Sequence, residues 1–335
     1  MDGVMNEVVF TAEFFNVKSE GAIDLFGPIF RPSYNIFIEH LKSTVNSSYD
    51  IFGILLILAI NEKNKQSFQE KEFKALDHYF DDVSMKLWPR FEELFDFHMK
   101  SLTTQTTANF KKMEKAVGSK AIIERVADFI VSFSRMVVYF SNPQMIEIRV
   151  ETFKKSFFGL VSKLCSEFER EIDGLVYHLN VLEQFHHSFT MDTVVAKLKS
   201  YQENQNEMEK EMNNLSMKIV SLYIKDFFPS LDSFIKKYCK DEGMTAEEST
   251  ISVQGVVDKK VIEAIISDLS NNNFNNRLQK YIEFTEKTFS GYSLKTNLKK
   301  FMGLFMKYYN EIYKYIKNNH PEDVSLMLQP HNMMK

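Results

Sequence analysis

The stretch Ala75–Leu102, ALDHYFDDVSMKLWPRFEELFDFHMKSL, decides the fold. Its apolar residues fall at Leu76, Tyr79, Phe80, Val83, Leu87, Phe91, Leu94, Phe95, His98 or Met99, and Leu102. Steps of three and four put them in one stripe on a helix roughly 40 Å long, at about 1.5 Å of rise per residue. Trp88, the only tryptophan of the chain, sits mid-stripe and is followed at once by Pro89 and Arg90. Proline inside a helical pattern removes a backbone donor and crowds the preceding turn, so a kink or a short break is expected there. The pattern predicts a core helix, with Trp88, Pro89, Arg90 and Phe91 as its structural anchor.

Outward from this helix, the composition allows a large core. The chain has 335 residues, enough for about two domains, of which 44% are hydrophobic and 31 are phenylalanine. Only 11 glycines and 7 prolines leave few sharp turns, so the elements should be long. The net charge of −4 gives no ground for a nucleic-acid partner. Cys165 and Cys239 make no metal-ligand or redox spacing, which points to a reduced, cytoplasmic chain without cofactor or metal. The start, MDGVMNEVVF, is acidic and does not read as a signal peptide. The most apolar run, Ile51–Ile60, is about half a membrane span and reads as a buried helix.

In chain order, Val4–Val17 reads as a first helix and Ala22–Phe30 as a short second one, with Pro32 opening a third. That third helix keeps its rhythm up to Asn61, where a charged stretch to Lys74 breaks it. Thr103–Ser119 is Thr- and Lys-rich and reads as an exposed connection. A clean helix, 121–140, ends at Ser141-Asn142-Pro143, because a residue before proline is pushed out of the helical region. The expected domains are therefore 1–141, an N-terminal helical bundle, and 142–335, a bundle of long helices. Gln144–Ser188 and Met191–Tyr238 read as two very long helices, the second bent at Pro229. Asp241–Gly255 reads as a loop, and Asp258–Ser290 resumes helix with Asn271–Asn276 inside it. Ser293–Lys317 is a basic amphipathic helix whose six lysines against Glu311 give a local charge of +5. Lys295, Lys299, Lys300 and Lys307 make it a candidate face for an acidic partner or an anionic membrane, or else a solvated face. No β-type alternation with turn punctuation appears, so the class is all-α.

Catalytic signatures are lacking: there is no glycine-rich phosphate loop, HExxH or GxSxG. Asp81-Asp82 resembles the first half of the aspartate-rich magnesium motif of helical terpene synthases, but Met85 stands where a third carboxylate is needed. His186 and His187 are adjacent and point to different sides of a helix, a poor metal pair. Glu92, Glu93 and Asp96 read as a solvated face. No enzyme is expected, and an all-α metal-dependent enzyme is the least favoured alternative.

Several runs stand out together: Phe10-Thr11-Ala12-Glu13-Phe14-Phe15; Ala22, Asp24, Leu25 and Phe26; His40-Leu41 and Tyr49-Asp50; then Ala75-Leu76-Asp77, Tyr79, Val83 and Leu87-Trp88-Pro89-Arg90-Phe91-Glu92. In this order they are similar to the C-terminal region of the vacuolar protein sorting-associated protein 52 family, a subunit of the Golgi-associated retrograde protein complex. The resemblance runs best over Val8–Leu102 and thins over Thr103–Ser119 and Asp241–Ser290. The family carries a coiled coil upstream of this region, so the chain is expected to be a fragment or a shortened member. The resemblance implies an elongated all-α bundle of the helical-rod type shared with exocyst and the conserved oligomeric Golgi complex. It further implies a tethering role in retrograde transport from endosomes to the trans-Golgi network. Sibling subunits, SNAREs and a Rab-type small GTPase are the implied partners, on cytoplasmic membrane faces. Peripheral membrane contact, another helical-rod tether or a generic helical scaffold stay open as alternatives.

Overall fold

The computed structural model describes residues 2–17, 19–70, 76–117, 119–242, 250–269, 271–288 and 292–327. Among them the chain forms thirteen α-helices, three short 3-10 turns and one two-stranded ribbon, so the all-α class holds. Two compact units result: Met1–Lys163 with Ser188–Leu198, and Leu164–His187 with Lys199–Lys335.

The first unit contains α1 (Asp2–Phe14), α2 (Ser19–Ser47), α3 (Ile51–Glu70), α4 (Asp77–Thr103), α5 (Thr107–Val117), α6 (Ser119–Met136) and most of α7 (Gln144–Ser166). The stripe on α4 is buried as its spacing predicts, through Phe80, Val83, Leu87, Phe91, Leu94 and Phe95. Each such side chain contributes about 1.5–3 kcal/mol when fully buried. Phe95 sits at the centre, with the rings of Phe91, Phe133 and Phe153 at 6.2, 5.8 and 6.3 Å. Thus α4, α6 and α7 share one aromatic core, to which α3 adds Phe52, 4.9 Å from Phe133.

Four readings change here, each for a physical reason. The helix expected to run from Pro32 to Asn61 is divided between Ser47 and Ile51, where Asp50 Oδ1 accepts the Gly53 amide at 2.9 Å and starts α3. Asn61 does not break a helix: α3 continues to Glu70, and buried Asn61 donates to Phe80 O at 2.8 Å and Ser84 Oγ at 3.0 Å on α4. A buried amide is tolerated when its donors are used. The stretch read as a connection contains α5, started by Thr106, whose Oγ1 accepts from the Asn109 amide at 3.2 Å, and held by buried Phe110. Prolines 28 and 32 lie inside α2, and Pro89 lies inside an unbroken α4. All three prolines are exposed, so the carbonyls they leave without an amide face the water side of the helix.

The helix break at Ser141–Pro143 is real, but Phe140 and Ile146 on either side of it are buried, and Phe153 lies 5.0 Å from Phe129. These contacts keep 142–163 in the first unit. Ser188–Leu198 also belongs there. Its Asp192 pairs with Arg135 and accepts the amides of Val194 and Val195 at 2.9 and 3.0 Å, while Val195 is fully buried. Burial pushes the Asp192 carboxyl upward, but the Val195 amide, the Arg135 side chain and the Val194 amide outweigh it and hold it below its ordinary range.

The second unit contains α8 (Glu171–Thr190, up to His187), α9 (Lys199–Phe227), α10 (Pro229–Tyr238), α11 (Lys259–Asp268), α12 (Asn271–Thr288) and α13 (Tyr292–Asn319). The two expected very long helices are each divided. Between α7 and α8 the chain turns at 167–170, and a Cβ on Gly174 would meet Cys165 O at 2.4 Å. Only glycine permits that approach. Between α9 and α10 the chain breaks rather than bends, because Pro229 takes the first position of the new helix. The asparagine-rich run 271–276 is helical, at the start of α12.

A short ribbon, β1 (Cys239–Glu242) with β2 (Thr250–Val253), pairs antiparallel from Cys239↔Val253 to Glu242↔Thr250. It replaces part of the expected loop 241–255, of which 243–249 lies outside the described residues. Gly255 follows at φ +82, a conformation that favours glycine. The aromatic core here is Tyr281 on Phe301 at 4.0 Å, Tyr223 on Tyr281 at 4.8 Å and Phe228 on Phe305 at 5.0 Å.

Candidate functional site

Around the Trp88 motif the structure builds a packed junction. Phe91 is buried, Trp88 is half-buried with Phe91 at 5.5 Å and Phe140 at 6.1 Å, and Pro89 is exposed. Arg90 does the polar work. Its Nη2 donates to Ser48 O at 2.8 Å just past the end of α2, its Nη1 meets Glu93 at 2.7 Å, and its guanidinium lies 5.5 Å from the Tyr49 ring. A cation there satisfies a carbonyl at a helix C-terminus and suits the negative end of the helix dipole.

Sequence reading did not single out the equivalent in the second unit. Arg277 donates to Phe227 O, the last carbonyl of α9, at 2.7 Å and to Asp268 at 2.7 Å, over the Phe228 ring. An arginine among asparagines carries no local pattern that announces this. Because Trp88 is half-buried, Trp88→Ala is expected to cost about 1–3 kcal/mol, below the roughly 3–5 kcal/mol typical of a fully buried aromatic. Urea melts followed by circular dichroism measure this, since the variant loses the sole indole.

Four of the acidic residues weighed for catalysis are engaged in structural contacts, while Asp96 is exposed. Asp81 pairs with Lys65 at 2.6 Å, and Asp82 accepts from Tyr34 and faces His78. Glu92 pairs with Arg149, and Glu93 with Arg90. His186 faces Glu209 of α9 at 3.5 Å, while His187 is exposed, so the pair does point to different sides. Among the described residues one group has ligand atoms close enough for an ion, His320, Glu322 and Asp323, within 4.8 Å of one another. It lies on one surface turn, where acidic groups are common without a metal.

A titratable cluster joins α8, α9 and α13. His178 lies 3.7 Å from Glu211, and burial holds its pKa below the ordinary range while Glu211 pulls it up. Burial pushes the Glu183 carboxyl up to about 7, against the opposing charge of Lys300. With a folded value above the ordinary 4.5, the folded chain holds a proton that the unfolded chain has lost, so this group's contribution falls as pH rises from 4.5 to about 7. His178 acts in the opposite sense. Glu183→Gln should therefore raise stability at neutral pH by about 1–2 kcal/mol, after allowance for solvent screening. It should also flatten the pH dependence; denaturant melts across that range test both effects.

On α13 the apolar face is buried through Phe301, Phe305, Tyr309, Ile312 and Ile316. The four candidate lysines do not form one uniform row. Lys299 is exposed, Lys300 donates to Asn213 at 2.6 Å, and Lys307 is half-buried. Lys295 lies in the helix, its side chain outside the described ones. No helix among the described residues is long and apolar enough to cross a membrane. The apolar run Ile51–Ile60 lies in α3, with Ile51, Ile54, Leu55, Leu58 and Ala59 in the core.

Comparison with known proteins places this sequence. The family described as Vps52, C-terminal, matches residues 1–223. Vacuolar protein sorting-associated protein 52 A of Arabidopsis thaliana is 25% identical over 288 residues, covering 86% of this chain and 37% of its own length. The Homo sapiens homolog is 25% identical over 186 residues, 54% of this chain and 24% of its own. The Schizosaccharomyces pombe protein is 23% identical over 162 residues, 48% and 32% respectively. The chain thus spans little more than a third of the plant relative's length. No solved structure matches it. The match over 1–223 runs unbroken through all of the first unit, including the 103–119 region where the motifs thin, and so the chain belongs to the Vps52 C-terminal family.

Proposed function

We propose that this chain is a non-catalytic part of a multisubunit vesicle-tethering complex, the Golgi-associated retrograde protein complex, serving transport from endosomes to the trans-Golgi network. Its family membership over residues 1–223 carries this reading. In it the chain acts by protein–protein contact with sibling subunits, SNAREs and a Rab-type small GTPase, at the cytoplasmic face of trans-Golgi and endosomal membranes. The physical support is that tethering makes and breaks no bond. The acidic side chains that an enzyme would deploy hold helices together here, as Asp81 does with Lys65 and Glu92 with Arg149. Trp88, Arg90 and Phe91 are read as the packing anchor, and Lys299 as an exposed lysine of the α13 face.

Isolation of the tagged chain from cells lacking the native subunit tests the reading. Recovery of sibling subunits, with retrograde cargo restored to the trans-Golgi network, is the expected result. Recovery of exocyst or conserved oligomeric Golgi subunits instead would move the chain to another tether.

A further inference from the structure

Helix α1 carries an outer face that the core does not use. Val8 is buried where α1 packs on α2, whereas Phe10 and Phe14, one helical turn apart, are 59% and 69% exposed. Their rings stack at 5.6 Å, and Phe15 meets Phe14 edge-on at 5.1 Å. Single exposed apolar residues are ordinary, but three phenylalanine rings linked through Phe14 form a continuous apolar ridge. At about 100° per residue Glu7 falls on one flank of the Phe10–Phe14 line and Glu13 on the other. Both are exposed, and the helix Asp2–Phe14 contains no lysine or arginine.

We propose that this face of α1 docks an amphipathic helix of a partner protein that has lysine or arginine on both flanks of its apolar stripe. The charge pattern selects this occupant. Leucine-sized side chains at helical spacing cover the ridge, while flanking cations meet Glu7 and Glu13. An anionic membrane would set its phosphates against the same carboxylates, and a second copy of α1 would set carboxylate against carboxylate. The proposal rests on the reading that the chain works through protein contacts, and it names the surface and the chemistry of one of them.

The test uses the full chain and two labelled synthetic helical peptides that share one leucine stripe, one with lysines on both flanks and one with glutamates. Fluorescence anisotropy at low salt should show saturable binding of the lysine peptide, weakened by added salt. Phe10→Ala with Phe14→Ala should weaken it by about tenfold or more. Glu7→Lys with Glu13→Lys should turn the preference toward the glutamate peptide. Circular dichroism identifies any variant that loses its helices, and the charge-reversal pair, changed only at exposed carboxylates, keeps the test decisive. Equal binding of both peptides, absence of saturable binding, or indifference to the phenylalanine pair would overturn the proposal. So would cosedimentation with phosphatidylserine vesicles that depends on Phe10 and Phe14. Recovery of sibling subunits by a chain that binds neither peptide would overturn this surface alone and leave the tethering reading standing.

Discussion

Phe95→Ala is expected to lower the stability of the first unit by about 3–5 kcal/mol, the usual cost of deleting a fully buried aromatic. Phe95 is 1% exposed, and its neighbours come from three different helices, so no single side chain can swing in to fill the space. The loss extends beyond packing. Arg149 lies 5.6 Å from the Phe95 ring while it pairs with Glu92, and its guanidinium would then border a cavity. Since natural domains hold only about 5–15 kcal/mol in total, a loss of this size should lower the melting temperature by many degrees. Differential scanning calorimetry reads it directly. A melting temperature within a degree or two of the parent would show that the aromatic core is not the source of this unit's stability.

Gly174→Val is expected to cost about 3 kcal/mol by the opposite mechanism, excess volume. A Cβ there would sit 2.4 Å from Cys165 O and 3.2 Å from its carbonyl carbon. Backbone atoms cannot rotate away as a side chain does, so α7 and α8 would have to separate at their turn. Gly159 supplies the control: it lies in α7, and a Cβ at that position would meet nothing within 4 Å. Gly159→Ala should be neutral or stabilise by about 0.5–1 kcal/mol through reduced unfolded-state entropy. Equal effects at the two glycines in urea denaturation would refute the close-approach argument.

The contrast between these residues shows what could be read from the sequence. The α4 stripe was legible because apolar spacing is a local signal that burial then obeys. The turn at 167–170 was not, since its enabling glycine lies in the following helix and looks like any helical glycine. Asn61 misled for a related reason. Its partners, Phe80 O and Ser84 Oγ, are some twenty residues away, and a polar residue looks like a break until they are known. The 107–117 helix was hidden because threonines and lysines dilute its one buried anchor, Phe110. The ribbon strands are four residues each, too short for alternation to register. Of the candidate site residues, Phe91 behaves as its spacing predicts. The task of Arg90 depends on where α2 ends, which no spacing within 75–102 contains. The ridge on α1 was not legible: apolar spacing turns Phe15 toward the core with Val8, yet Phe15 is exposed beside Phe10 and Phe14.

The return of Ser188–Leu198 to the first unit has a consequence for how such a chain can change over generations. The backbone passes between the units three times, so no single break point separates them. A fragment ending at 163 would lack buried Val195 and leave Arg135 without Asp192, while one beginning at 164 would carry that segment with nothing to receive it. Gene fusion and recombination, which move contiguous pieces, would therefore pass the two units on together. New specificity in this lineage should then accumulate by substitution on exposed faces, with whole-unit exchange excluded.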